Sequence, residues 1–146
     1  MGKLKLIKKT TPGNTHPPIV FVHGICHGAW CWENYIEYFC GKGYDCYAFS
    51  LRGHWGSYPA WNATISDYVS DLDQIISYIP NKKPVVVGHS MGGAIVQKYL
   101  ELYPDKLSGI VLLASVPRNP IHPRKACGIG ITTKILRLNI QLCKWE

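Results

Sequence analysis

Residues Gly88-His89-Ser90-Met91-Gly92 hold a hydroxyl between two glycines, each two residues away. The apolar run Pro84-Val85-Val86-Val87 precedes them, and the helix-compatible stretch Gly93-Ala94-Ile95-Val96-Gln97-Lys98-Tyr99-Leu100 follows. A serine that attacks a carbonyl must stand clear of the sheet. A tight strand-to-helix turn lifts it there only if side chains at 88 and 92 are absent, since they would collide. The chemistry that fits is acyl transfer, in which the serine oxygen adds to a carbonyl and backbone N–H groups hold the oxyanion. Such a serine needs a base oriented by an acid. After Ser90 the chain has one histidine, His122, and carboxylates at Glu101, Asp105 and Glu146.

The elements that must position this turn alternate along the chain. Lys3-Leu4-Lys5-Leu6-Ile7-Lys8 has a rough period of two and is closed by Thr11-Pro12-Gly13-Asn14, as expected of a half-exposed edge strand and a turn. Ile19–Val22, Tyr44–Phe49, Val85–Val87 and Gly109–Leu113 are short apolar runs, the pattern of parallel strands buried on both faces. Thr64 to Ile79 predicts a helix capped by Thr64 or Ser66, with Ile65, Tyr68, Val69, Leu72, Ile75, Ile76 and Ile79 on one face and Asp67, Asp71 and Asp73 facing water. Trp30 to Phe39 predicts a second helix, with Trp30 and Trp32 in the core, and the stretch after Ser90 a third, ending near Pro104. Strand and helix in alternation imply an α/β fold with a mostly parallel sheet and helices on both faces. Ligands of such sheets bind beyond the carboxyl ends of the strands. The loops there are His23-Gly24-Ile25-Cys26-His27-Gly28, Ser50 to Ser57, the Ser90 turn, and Ala114-Ser115-Val116-Pro117.

At 146 residues and 47% hydrophobic, one domain is expected over residues 1–146. The net charge of +7 sits mainly in residues 1–10 and 117–146, while residues 11–116 are slightly acidic. That distribution, without a basic stripe carrying aromatics, argues against a nucleic-acid partner. No run approaches the roughly 18 apolar residues of an integral membrane span, and the N-terminus has no signal-peptide core. Six cysteines without a CxxC pair imply free thiols, no metal and a cytoplasmic location. From Cys127 to Glu146, Ile131, Ile135, Leu138, Leu142 and Trp145 recur at helical spacing and predict an amphipathic helix. The Gly109–Leu113 strand is then a bare sheet edge that invites self-association.

His23-Gly24 after the first buried strand, Arg52-Gly53-His54 in the next loop, Gly-His-Ser-Met-Gly-Gly at 88–93 and Leu112-Leu113-Ala114-Ser115 together resemble the α/β-hydrolase family over residues 18–117. The stretch His23 to Trp30 is similar to one in plant methylesterases and hydroxynitrile lyases. The resemblance implies a serine esterase or lysophospholipase-like hydrolase that acts on small esters or lipids without a cofactor. It implies Ser90 as nucleophile on an elbow, with an oxyanion hole made by the backbone N–H groups of Ile25 and Met91. His23, Gly24, Gly88, His89 and Gly92 would support the elbow and loop, and His27 would lie at the pocket entrance. Arg52 and His54 would brace the top of the sheet, and Trp55 stands where a glycine is common. In family order the acid and histidine follow later strands, so the resemblance covers the N-terminal portion of the fold, truncated before its last strands, with residues 118–146 beginning a lid-like helical segment. His122 would then be a surrogate base. The alternatives are a non-catalytic fragment serving as a binding module, and completion in trans by a second chain.

Overall fold

A computed structural model describes residues 2–80, 82–115 and 135–138. Six strands form one sheet: β1 (Leu6–Lys9), β2 (Ile19–Val22), β3 (Cys46–Phe49), β4 (Val85–His89), β5 (Gly109–Leu113) and β6 (Ile135–Leu138). Their order is β1-β3-β2-β4-β5-β6, with β1 antiparallel to β3 and every other neighbour pair parallel. From β2 the chain moves outward to β3, then returns to the other side of β2 for β4. That reversal opens a crevice at the carboxyl ends of β2 and β4, where α/β sheets bind ligands. The loop carrying Gly24-Ile25 and the turn carrying Ser90 flank this crevice.

The alternating pleat divides the core into two layers. Val20, Val22, Val86, Ile110 and Leu112 face α2 (Ile65–Tyr78) and α3 (Met91–Leu102), whose Val69, Leu72, Ile75, Ile95, Val96 and Tyr99 are buried against them. Ile19, Phe21, Ala48 and Val87 face the other way, onto Trp32 and Ile36 at the start of α1 (Glu33–Gly41). Helices thus cover both faces, as the sequence predicts. α2 begins with a capping box: the Thr64 hydroxyl accepts from the Asp67 N–H, and the Asp67 carboxylate accepts from the Thr64 N–H. No helix among the described residues is long and apolar enough to cross a membrane.

Three sequence expectations are corrected. The helix expected over 127–146 is replaced at Ile135–Leu138 by β6, which runs parallel to β5. A bare β5 edge presents unpaired N–H and C=O groups, and the run Ile135-Leu136-Arg137-Leu138 satisfies them by pairing although its apolar spacing also suits a helix. The rest of that segment lies outside the described residues. β6 therefore takes the place of β5 as the last strand of the sheet. Trp30 is the second correction. A turn of 3-10 helix over Ala29–Trp32 buries Trp32 but leaves Trp30 exposed, since residues two apart on any helical turn point to different sides. Third, the acids of α2 are not simply solvent-facing: only Asp71 is buried, while Asp67 and Asp73 are partly exposed and engaged in ion pairs. Asp71 is buried under Arg52, Asp67 pairs with the same guanidinium, and Asp73 accepts from Tyr99 Oη and pairs with Lys106.

Candidate active site

Ser90 follows β4 directly and caps α3 with φ 53° and ψ −118°. This left-handed backbone is sparsely populated for a residue with a Cβ and costs about 1–3 kcal/mol unless neighbours enforce it. The neighbours here are bonds on both sides: the Ser90 N–H donates to the Leu113 carbonyl at 3.1 Å, and the Gly93 N–H to the Ser90 carbonyl at 3.0 Å. Close approach does the rest. A Cβ on Gly92 would lie 2.4 Å from the Val22 carbonyl oxygen and 2.6 Å from that of His23, and one on Gly88 would lie 2.7 Å from the Gly92 carbonyl oxygen. The two glycines singled out in the sequence are therefore where α3 and β2 press against the turn. Met91 is the first residue of α3, so its N–H has no acceptor within the helix and points outward at the helix start.

The loop after β2 crosses this turn. A Cβ on Gly24 would lie 3.2 Å from Ser90 Cβ and 3.2 Å from His89 Nδ1, so the loop backbone passes directly over the serine. His23 governs its orientation. The Leu51 N–H donates to His23 Nε2 at 3.0 Å, which leaves the ring proton on Nδ1, and Nδ1 donates to the Gly24 carbonyl at 2.7 Å. Because the peptide is planar and trans, fixing the Gly24 carbonyl also fixes the direction of the Ile25 N–H on its opposite side. Among the described residues neither the Ile25 nor the Met91 N–H is used by another acceptor.

His23 is wholly buried, and its burial pushes the imidazole down to about 4, with the bond to Gly24 opposing the shift and the neighbouring His54 and His27 adding to it. The sign follows. The unfolded chain takes up a proton near pH 6.5, whereas the native ring stays neutral until about pH 4, so this group's contribution is complete above pH 6.5 and is lost between the two values. The difference amounts to about 3 kcal/mol. Ring NMR resonances of His23 are expected to stay neutral between pH 7.5 and 5 while urea stability falls over pH 6.5–4.5. A His23 midpoint near 6.5 would contradict this account.

His89 and His27 are neighbours of the serine on the α1 side. Their rings meet edge-on at 6.0 Å, His27 also lies 5.7 Å from Trp30, and His89 lies edge-on to Trp32 at 6.5 Å. Burial, helped by His27, lowers the His89 pKa. An aromatic wall thus runs from exposed Trp30 down to the residue before Ser90.

The loop after β3 is locked to α2. The Arg52 N–H donates to Asp71 Oδ2 at 2.9 Å, its Nε and Nη2 donate to Oδ1 at 2.9 and 2.7 Å, and Nη1 donates to Asp67 at 2.9 Å. The Asp71 pair, its hydrogen bond the foremost cause, raises the Arg52 pKa. From this anchored loop His54 reaches toward the site, its Nε2 2.8 Å from the Ile25 carbonyl. Trp55 is half-exposed, and its Cβ lies 2.9 Å from where a Cβ on Gly28 would stand. Sequence reasoning did not find Asp71. The signal was present in the i, i+4 spacing of Asp67 and Asp71, which puts two carboxylates on one helix face opposite a lone arginine.

Other expected residues are not brought together. Lys98 holds Glu101 at 2.9 Å near the far end of α3, and Asp105 follows in a short turn at that end. His122 lies outside the described residues. Among the described residues no side chain hydrogen-bonds to the Ser90 hydroxyl, and no group of three histidines, cysteines or carboxylates could hold a metal.

The family profile described as "alpha/beta hydrolase fold" matches residues 17–130. Norfluorocurarine synthase 2 of Strychnos sp. is 36% identical over 107 residues, covering 71% of this chain and 40% of that protein. Methyl jasmonate esterase 1 of Vitis vinifera is 34% identical over 104 residues, covering 69% and 40%. Among solved structures, a monoacylglycerol lipase of Paleococcus ferrophilus is 30% identical with a TM-score of 0.70, over 82% of this chain and 47% of that one. The chain spans less than half the length of each of these.

Proposed function

The chain belongs to the α/β-hydrolase fold family, and from that membership we propose that it is a serine hydrolase acting on carboxylic esters or lipids through Ser90. In this reading the Ser90 oxygen adds to the ester carbonyl and its proton passes to a base. The carbonyl oxygen becomes an oxyanion held by the Ile25 and Met91 N–H groups. Collapse expels the alcohol with a proton and leaves an acyl group on Ser90, which water then removes as the acid. Each oxyanion donor contributes about 3–4 kcal/mol to the barrier. The observation that carries the reading is the crossing of the Gly24-Ile25 backbone over a serine at φ 53° on a strand-to-helix turn. The esterase and lipase names of the Vitis and Paleococcus proteins support the substrate class. The four described cysteines are free thiols, which suits a cytoplasmic setting.

The base and its acid lie outside the described residues: His122, a later segment of a longer polypeptide, or a second chain. A serine hydrolase without its histidine loses on the order of 10⁶ in turnover, the acylation step included, so covalent capture of Ser90 by a highly reactive probe over long exposure is the informative assay. A fluorophosphonate probe is expected to label the folded chain at Ser90 and to leave Ser90→Ala unlabelled. Folded chain that takes no label would favour the rival reading, a binding module that retains the fold without the chemistry. The lack of a described hydrogen-bond partner for Ser90 is what keeps that rival in view.

A further inference from the structure

We propose that His54 is a positioning residue for the oxyanion site, acting through the Ile25 backbone; this rests on the serine-hydrolase reading above. Ile25 is 65% exposed, so packing does little to hold it. Its backbone must nevertheless keep an N–H aimed at the atom that becomes negative, within a few tenths of an ångström. Two histidines hold it from either side. His23 fixes the Gly24 carbonyl, and hence the plane that carries the Ile25 N–H. His54 Nε2 lies 2.8 Å from the Ile25 carbonyl and fixes the following plane. With both planes set, φ and ψ of Ile25 are set as well.

The second ring nitrogen, Nδ1, lies 3.0 Å from the Arg52 carbonyl. A neutral imidazole has one N–H to give, and the shorter contact, to Ile25, is the one the proposal requires. The ring is itself immobilised: it packs at 5.0 Å from His23 and edge-on at 5.8 Å from Tyr68. Its backbone follows Arg52, which Asp71 grips through both its main-chain N–H and its guanidinium. The brace therefore runs from buried Asp71 on α2, through the Arg52 loop, to His54 and then to Ile25.

Asparagine and glutamine separate the two ring nitrogens. The amide nitrogen of Gln can reach where Nε2 stands; that of Asn reaches only where Nδ1 stands. Outright loss of an oxyanion donor costs about 10²–10³ in rate, so loosening one that remains is expected to slow Ser90 phosphonylation about tenfold. For His54→Ala and His54→Asn the maximal labelling rate should fall by that factor with the probe's half-saturation concentration unchanged, and His54→Gln should restore it. Equal rates for Asn and Gln, or a wild-type rate for Asn, would overturn the proposal. The carbonyl carbon resonance of Ile25 gives a readout independent of chemistry: it should move in His54→Asn and hold in His54→Gln. If wild-type chain takes no label, the serine-hydrolase reading falls, and an Ile25 resonance unmoved by His54→Asn overturns the brace separately.

Discussion

Gly92→Ala is expected to destabilise the chain by about 3 kcal/mol, the upper range for forcing atoms into a packed site. The new methyl would stand 2.4 Å from the Val22 carbonyl oxygen and 2.6 Å from that of His23, and both belong to backbone. No rotamer change can relieve such a contact. Either α3 lifts away from the end of β2 or the Gly24-Ile25 loop shifts, and both movements open the crevice beside Ser90. For a chain of this size the melting temperature should drop about 10 °C. Gly41→Ala is the control, because a Cβ there meets nothing within 4 Å and alanine is the better helix former by up to about 1 kcal/mol. A Gly92→Ala chain as stable as Gly41→Ala would refute the close packing of the turn.

Asp71→Ala carries the second large effect. Asp71 is 1% exposed, and its carboxylate accepts from the Arg52 main chain and from two guanidinium nitrogens. Removing one partner of a buried ion pair leaves the other charge short of compensation and costs about 3–5 kcal/mol. Arg52→Ala should cost a similar amount, and the double variant little more than either alone, because the second deletion removes a charge already stranded. Chemical denaturation of the three variants measures this coupling. Additive losses would mean that the two groups act independently, against the geometry.

Much of the fold was legible because its signals are local. The buried parallel strands read as apolar runs since both faces are covered, and α2 read as a helix because its stripe and Thr64 cap fall within one segment. Ser90, Gly88 and Gly92 were legible for the same reason: the turn's requirements span five residues. What escaped depends on contacts distant in sequence. Asp71 looked like a solvent-facing acid because its partner, Arg52, lies 19 residues earlier on another element. Trp30 was grouped with Trp32 as core, but residues two apart on a helical turn point to different sides, and only Trp32 is buried. Residues 135–138 carry a spacing that suits helix and strand alike, and the open edge of β5 selects the strand. The bond from His54 to Ile25 joins two loops 29 residues apart, and no pattern in either loop announces it.

In the proposed reading the Ser90 hydroxyl oxygen is the atom that carries an acyl group. Long incubation of the chain with an activated aryl ester, followed by proteolysis and mass spectrometry, tests this most directly. The account predicts one acyl group on the peptide containing Ser90, absent from Ser90→Ala and slower to appear in Gly92→Ala. Acylation confined to surface lysines, in the same pattern with and without the Ser90 hydroxyl, would contradict it.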